Sequence, residues 1–351
     1  MKLTRIVRAG VDGAEPRIAV VLPDERVVID LVTAERARLE GSGATAEAAA
    51  RVARALFPSS MAAAIAAGDV FLDSARRAVR SARRSHGRKD GGRAEGRLPW
   101  DEVEWTSPVD PPVMLDGSAF EQHLVNAHAR GKRDVPDLFY EVPVYYKMNP
   151  QTVIGHEAEV PWRGEARFMD YELELGIVIG RAASDLRPDE SLPHIFGITA
   201  MNDFSARDVQ AREMTAGFGP AKGKDFATAL GPWITTTDEV DLSDLEMIAR
   251  VNGDEWSRGS TSSLMWTVEE LVAFASRGEA VVPGEVIGTG TVGLGCGLEL
   301  YRKLKPGDSV EIEISSIGVL RNTIGRPVPS RWTPEPKERR AQVIVPPRED
   351  R

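Results

Sequence analysis

The twelve residues from Met169 to Gly180, MDYELELGIVIG, constrain this chain more than any others. On an extended backbone side chains two apart share a face, so Asp170, Glu172 and Glu174 point one way and Tyr171, Leu173 and Leu175 the other. The continuation Gly176-Ile177-Val178-Ile179-Gly180 is apolar on both faces, as in a strand covered on both sides. Acidic side chains therefore enter a protein interior next to one another. A buried unpaired carboxylate is costly and two of them repel, so the group must meet a cation or take up protons. One divalent metal ion resolves both problems. The plain alternative is a strand with one face in water, and the apolar run that follows weakens it here.

A chain of 351 residues exceeds the ~250–300 at which a single hydrophobic core stops growing, so a main domain with an appendage is expected. Hydrophobic residues at 42% and charged residues at 28% exclude collagen-like, wholly disordered and coiled-coil chains. With 44 Lys and Arg against 53 Asp and Glu the net charge is -9, which argues against nucleic acid as the main partner. The one cysteine, Cys296, excludes an internal disulfide and any zinc site built on cysteine pairs. The opening MKLTRIVRAGVDG lacks a signal peptide's apolar stretch, and no run approaches ~18 apolar residues. A cytoplasmic protein without a membrane partner is expected.

Residues 1–31 alternate around Gly, Pro and Asp as two or three short strands, and alanine recurs at helical spacing from Ala34 to Arg84. Residues 76–97, with nine Arg or Lys, read as a solvated linker or loop. Beyond Leu98 short Val/Ile runs and turn residues dominate, with helical patterns at 120–131, 188–194 and 267–277, the last opened by the Thr267/Glu270 capping box. The expected fold is mixed α+β and β-rich. It divides into a small N-terminal unit (1–98), a main domain (99–328) and a Pro- and charge-rich tail (329–351).

Four further segments carry candidate chemistry. In FGITAMNDFSARDVQ an apolar run ends at Asp203, and Arg207 and Gln210 follow three apart on one helical face. An N-cap followed by surface residues is the plain reading. In LDGSAFEQHLVNAH, Asp116 closes an apolar stretch and His123 lies about two helical turns on. His123 as a mere surface histidine is the plain reading there. VPGEVIGTGTVGLGCGLEL runs from a strand through a glycine-rich turn to Glu299, without the spacing of a phosphate loop. GFGPAKGKDF places Lys222 and Lys224 among glycines, where an ammonium can approach a ligand.

At these segments the sequence resembles the fumarylacetoacetate hydrolase family from about Val113 to Gly325. The resemblance rests on Asp116 with His123, Glu172-Leu173-Glu174, MNDFSARDVQ, Lys224 in GKDF, VNGDEWSRGSTSSLMWTVEEL and VVPGEVIGTGT. It implies a β-sandwich or roll in the main domain, a homodimer, and one divalent cation, Mg²⁺ first, with Ca²⁺ or Mn²⁺ as alternatives. By the same resemblance the metal ligands are Asp116, Glu172, Glu174 and Asp203, an all-oxygen set that suits a hard cation. His123 matches the general base and Glu299 the carboxylate that orients it. Arg207, Gln210 and Lys224 match groups holding the substrate's oxygens, and Tyr146 and Thr291 match contacts to its carboxylate end.

The implied activity is metal-dependent hydrolysis of a carbon–carbon bond in a β-diketo acid, a reaction of aromatic-compound catabolism. The alternative is a decarboxylase, hydratase or isomerase acting on a 2-oxo or 2-hydroxydienoic acid at the same site. Many smaller relatives carry a glutamate three residues after the histidine, whereas Asn126 stands there in this chain, which looks more like fumarylacetoacetate hydrolase itself. Phe120, in place of a tyrosine, is expected to set a bulky apolar group near the mouth of the site.

Overall fold

A computed structural model describes residues 1–8, 15–86 and 95–338. Leu173–Ile179 is a central strand, and all seven of its residues are buried. Its side chains serve three separate interiors. Leu173 and Leu175 pack with Met247, Ile312 and Leu320 of a second sheet, Val178 with the N-terminal helices, and Ile177 and Ile179 with the helix Val268–Ala275. Both faces are covered, as the Gly-Ile-Val-Ile-Gly run required.

Antiparallel neighbours flank this strand: Ile195–Asp203 on one side and Val286–Gly288 on the other. Outward lie Thr228–Thr236 beyond the first, and Met114–Gly117 and Tyr145–Lys147 beyond the second. The N-terminal strands Lys2–Arg8, Arg17–Leu22 and Val27–Asp30 continue the same sheet, Leu3 pairing with Ile234. A five-stranded sheet, ordered Asp254–Ser260, Glu246–Val251, Ser309–Ile314, Gly318–Val328 and Glu159–Arg163, packs against it. This is the mixed α+β, β-rich architecture expected.

Four helices, Leu31–Glu40, Ala46–Leu56, Met61–Ala66 and Asp69–His86, lay Phe57, Met61, Phe71 and Ala75 over Val178, Ile234 and Val286. One expectation is corrected here. Arg76 to Arg84 are not linker residues: they lie on Asp69–His86, whose Ala75, Ala78 and Ala82 are buried, so the arginines are the wet face of an amphipathic helix. The glycine-rich part, residues 87–94, lies outside the described residues, as do 339–351 of the tail. Residues 329–338 carry no regular structure. Among the described residues no helix is long and apolar enough to cross a membrane.

Candidate active site

Strand register brings the acids together. Asp116 stands at the buried end of Met114–Gly117, opposite Gly288 on one side and Tyr146 on the other. Glu174 pairs with Met201, and Asp203 closes its strand opposite Thr228. Oxygens of Asp116, Glu172 and Glu174 lie within 4.8 Å of one another, all three residues buried.

The acidic run is not one strand. Asp170 belongs to the short strand Met169–Asp170, which pairs with Ser205–Ala206, and Glu172 makes an isolated bridge with Cys296 before Leu173–Ile179 begins. Asp170 consequently leaves the cluster. It accepts hydrogen bonds from Arg207 Nε (2.8 Å) and from the backbone N–H groups of Gly297 (2.7 Å), Leu298 (3.0 Å) and Tyr171 (3.0 Å).

Two buried cations serve one side of the cluster. Lys224 donates to Glu172 and, at 2.6 Å, to Asp203 Oδ2. Arg207 Nη2 lies 2.9 Å from Glu172 Oε1, and its Nη1 donates to Gln210 Oε1 at 3.1 Å. Asp203 is further engaged by the Tyr146 hydroxyl and by Thr228 Oγ1 at 2.9 Å. Burial opposes the charge on Glu172, yet Lys224 and then Arg207 hold its carboxyl at about 2.

Asp116 and Glu174 are left without such partners. Glu174 Oε1 accepts from Thr291 Oγ1 at 3.1 Å, but Glu174 Oε2 and Asp116 Oδ1 are buried with no hydrogen-bond partner among the described residues. Burial first, then repulsion from Asp203 and Glu172, pushes Asp116 up to about 7, and burial with Asp116 pushes Glu174 well above the carboxylate range. A Cβ built on Gly288 would lie 2.6 Å from Asp116 Oδ1 and 3.1 Å from Glu174 Oε2, so glycine there keeps the space between the two oxygens clear. Orphaned carboxyl oxygens around a cleared space, with no nitrogen or sulfur donor among the three, fit a hard divalent cation, which would hold them ionised. Asp116, Glu172 and Glu174 could hold it directly. Asp203, the fourth expected ligand, accepts from Lys224, Tyr146 and Thr228, and Glu172 is likewise engaged by Lys224 and Arg207.

His123 lies on the helix Glu121–Arg130, and its Nδ1 is 2.8 Å from Glu299 Oε2 on the short helix Gly297–Leu300. Burial opposes Glu299's charge, but hydrogen bonds from His123, Asn126 and Leu294 outweigh it and hold the carboxyl below the usual range. An ionised glutamate facing Nδ1 places the ring proton there and leaves Nε2 as the acceptor. Glu172 bridges through its backbone to Cys296, whose thiol donates to Glu299, and this sets the pair beside the acidic cluster.

All eleven candidate residues thus lie on two adjoining networks. The structure adds roles that the sequence had not assigned: Asp170 under Arg207, Asn202 accepting from the Glu172 N–H at 2.9 Å, Thr228 on Asp203, and Asn126 and Cys296 on Glu299. Phe120 corrects another expectation. It is 2% exposed and packs in the inter-sheet core, not at the mouth of the site.

Two packed sheets with buried carboxylates, a basic pair and a histidine–glutamate dyad define an enzyme of the carboxylate metal-site class. A family model for the C-terminal domain of fumarylacetoacetate (FAA) hydrolase matches residues 112–325, and the chain belongs to that family. Oxaloacetate tautomerase YisK of Bacillus subtilis (strain 168) is 29% identical over 314 residues, 88% of this chain and 96% of that protein. The structure of fumarylacetoacetate hydrolase from psychrophilic Exiguobacterium antarcticum superposes with a TM-score of 0.66 at 26% identity, covering 93% of this chain and 99% of that one. At 20% identity, maleylpyruvate hydrolase from Sphingobium sp. SYK-6, in complex with manganese(II) and pyruvate, shares the fold with a TM-score of 0.65, over 93% of this chain and all of that one.

Proposed function

We propose that this protein hydrolyses a carbon–carbon bond in a β-diketo acid, with His123 as general base. The observation that carries this reading is the His123–Glu299 pair at 2.8 Å beside the Asp116, Glu172 and Glu174 cluster. A divalent cation held by that cluster supplies Lewis-acid polarisation of a carbonyl oxygen.

The chain's own residues perform the proton transfers. Nε2 of His123 takes a proton from water, and the hydroxide adds to the carbonyl carbon. The bond to the neighbouring carbon then breaks, its electron pair passing into the departing enolate, which is protonated on carbon. One carboxylic acid and one ketone or 2-oxo acid leave. Lys224, Arg207 and Gln210 are assigned to the substrate's oxygens, where charge gathers, and fixed donors of this kind contribute a few kcal/mol each. Tyr146 and Thr291 are assigned to its carboxylate end.

A second reading, keto–enol isomerisation of a 2-oxo acid, is favoured by the similarity to the tautomerase over nearly its whole length. The same base then takes its proton from the carbon next to the carbonyl, and no water is consumed. A panel of diketo and 2-oxo acids, followed by loss of absorbance with mass-spectrometric identification of products, separates the two. Two fragments with one water added support hydrolysis; a product of unchanged mass assigns isomerisation instead.

A further inference from the structure

We propose that Asn126 and Cys296 are positioning residues for the base, fixing the Glu299 carboxylate so that His123 carries its proton on Nδ1. The inference rests on His123 acting as base, and holds for hydrolysis or isomerisation alike.

Glu299 is enclosed, its side chain 0% exposed, and four donors converge on its two oxygens. Oε1 accepts from Asn126 Nδ2 at 2.7 Å and from the Leu294 N–H at 2.9 Å. Oε2 accepts from the Cys296 thiol at 3.2 Å and faces His123 Nδ1 at 2.8 Å. A carboxylate offers about four lone-pair sites, so this one is saturated and cannot turn without breaking a bond in a buried place. The Asn126 amide is itself oriented, because Gln122 Nε2 donates to its Oδ1 at 2.9 Å. The Asn126 amino group is thereby turned toward Glu299.

The two donors act from different elements. Asn126 sits three residues after His123 on the same helix, so one helical face presents both groups to Glu299. Cys296, 0% exposed, immediately precedes the helix carrying Glu299 and bridges to Glu172 through its backbone. Its thiol reaches the same oxygen as the imidazole. With Asn126 gone, Oε1 loses one of its two donors and the carboxylate can rotate. Without the thiol, Oε2 is held by His123 alone. Either change loosens the acceptor that selects the tautomer of His123.

The test compares Asn126→Ala, Asn126→Asp, Cys296→Ala and Cys296→Ser in the full-length protein. Two measurements are made: turnover of the best substrate, and long-range proton–nitrogen NMR of the His123 ring without substrate. Loss of one hydrogen bond to a charged group corresponds to about tenfold or more in kcat for Asn126→Ala, with KM little changed. Cys296→Ala loses about threefold, as a weak thiol donor should, and Cys296→Ser restores it. Asn126→Asp has the size of asparagine but sets a second carboxylate against Oε1, so it is at least as damaging as alanine. In the NMR arm the wild type shows Nδ1 protonated and Nε2 bare, and the two alanine variants show mixed tautomers. An unchanged tautomer in both alanine variants overturns the proposal, whatever turnover does. So does a harmless Asn126→Asp, because then Asn126 only fills space. If no substrate in the panel reacts, the proposed function fails, and the NMR arm still decides the positioning role.

Discussion

At the scale of single residues, proton transfer and cation binding, as proposed, fall to different side chains. His123 belongs to the dyad and Glu172 to the acidic cluster, so their variants part company. His123→Ala is expected to lower kcat by about 10²–10⁴ while divalent-cation binding, read by calorimetry with Mn²⁺, persists. Glu172→Gln is expected to lose both, since it removes a proposed ligand and the anchor of Lys224 and Arg207. Wild-type hydrolysis by His123→Ala sinks the base assignment. Gly288→Ala probes the cleared space from its other side. The added Cβ meets Asp116 Oδ1 and Glu174 Oε2, and Met201 Cε at 2.8 Å. Overpacking of this kind costs about 1–3 kcal/mol, and Mn²⁺ affinity should fall by about tenfold or more. Unaltered affinity in that variant removes the cluster from cation binding.

At the scale of elements, Gly297–Leu300 is one turn long and cannot hold itself, yet it carries Glu299. Asp170 secures it by accepting from its first two N–H groups, and also accepts from Arg207 Nε. Asp170→Asn keeps the shape but removes the charge and turns an amide N–H toward a donor. The expected result is a loss of about 2–4 kcal/mol in urea unfolding together with lower turnover. An unfolding midpoint and kcat equal to wild type contradict this account. The same residue shows how far the sequence could be read. Period-two alternation correctly placed Glu172 and Glu174 in an interior, but set Asp170 beside them, because alternation cannot reveal that the strand breaks at Tyr171 and Glu172. Asn126 was visible only as a departure from the relatives' glutamate, since it meets Glu299 only after folding brings residue 126 against residues 294–299, and Cys296 lies three residues from Glu299 without any pattern that turns its thiol toward that carboxylate. The alanine spacing up to Arg84 made the helix Asp69–His86 legible, but the run of arginines also drew residues 76–84 into the linker reading, although Ala75, Ala78 and Ala82 are buried beneath them. Phe120 misled because an aromatic next to a site residue says nothing about which way its ring turns.

At the scale of the whole molecule, the N-terminal strands extend the central sheet at its edge, and the N-terminal helices and the second sheet cover it from opposite faces. Removing residues 1–98 strips Val178, Met201, Leu230, Ile234 and Val286 of their cover, each worth about 1.5–3 kcal/mol when buried, and leaves Thr228–Thr236 with an open edge. That truncation is expected to aggregate, as read by size-exclusion chromatography; a soluble, monodisperse product contradicts it. His156 joins the same parts elsewhere. Its ring lies edge-on to Trp105, 5.6 Å between centroids, and its Nδ1 accepts from the Arg321 N–H of the second sheet at 3.0 Å. A nitrogen accepting a backbone N–H must be unprotonated. Burial foremost, with Arg321 adding to it and Glu157 opposing, lowers His156 from 6.5 to about 4. Below pH 6.5 the unfolded chain therefore binds a proton that the folded chain refuses. Stability from this residue is fully present above about 6.5 and is lost as pH falls toward about 4. His156→Asn offers Arg321 a side-chain oxygen that does not titrate in this range. Carboxylates elsewhere contribute equally to both proteins, so the difference in unfolding free energy isolates the histidine. Between pH 7 and 5 the wild type should lose more stability than His156→Asn, and parallel slopes for the two would show that position 156 binds protons equally in both states.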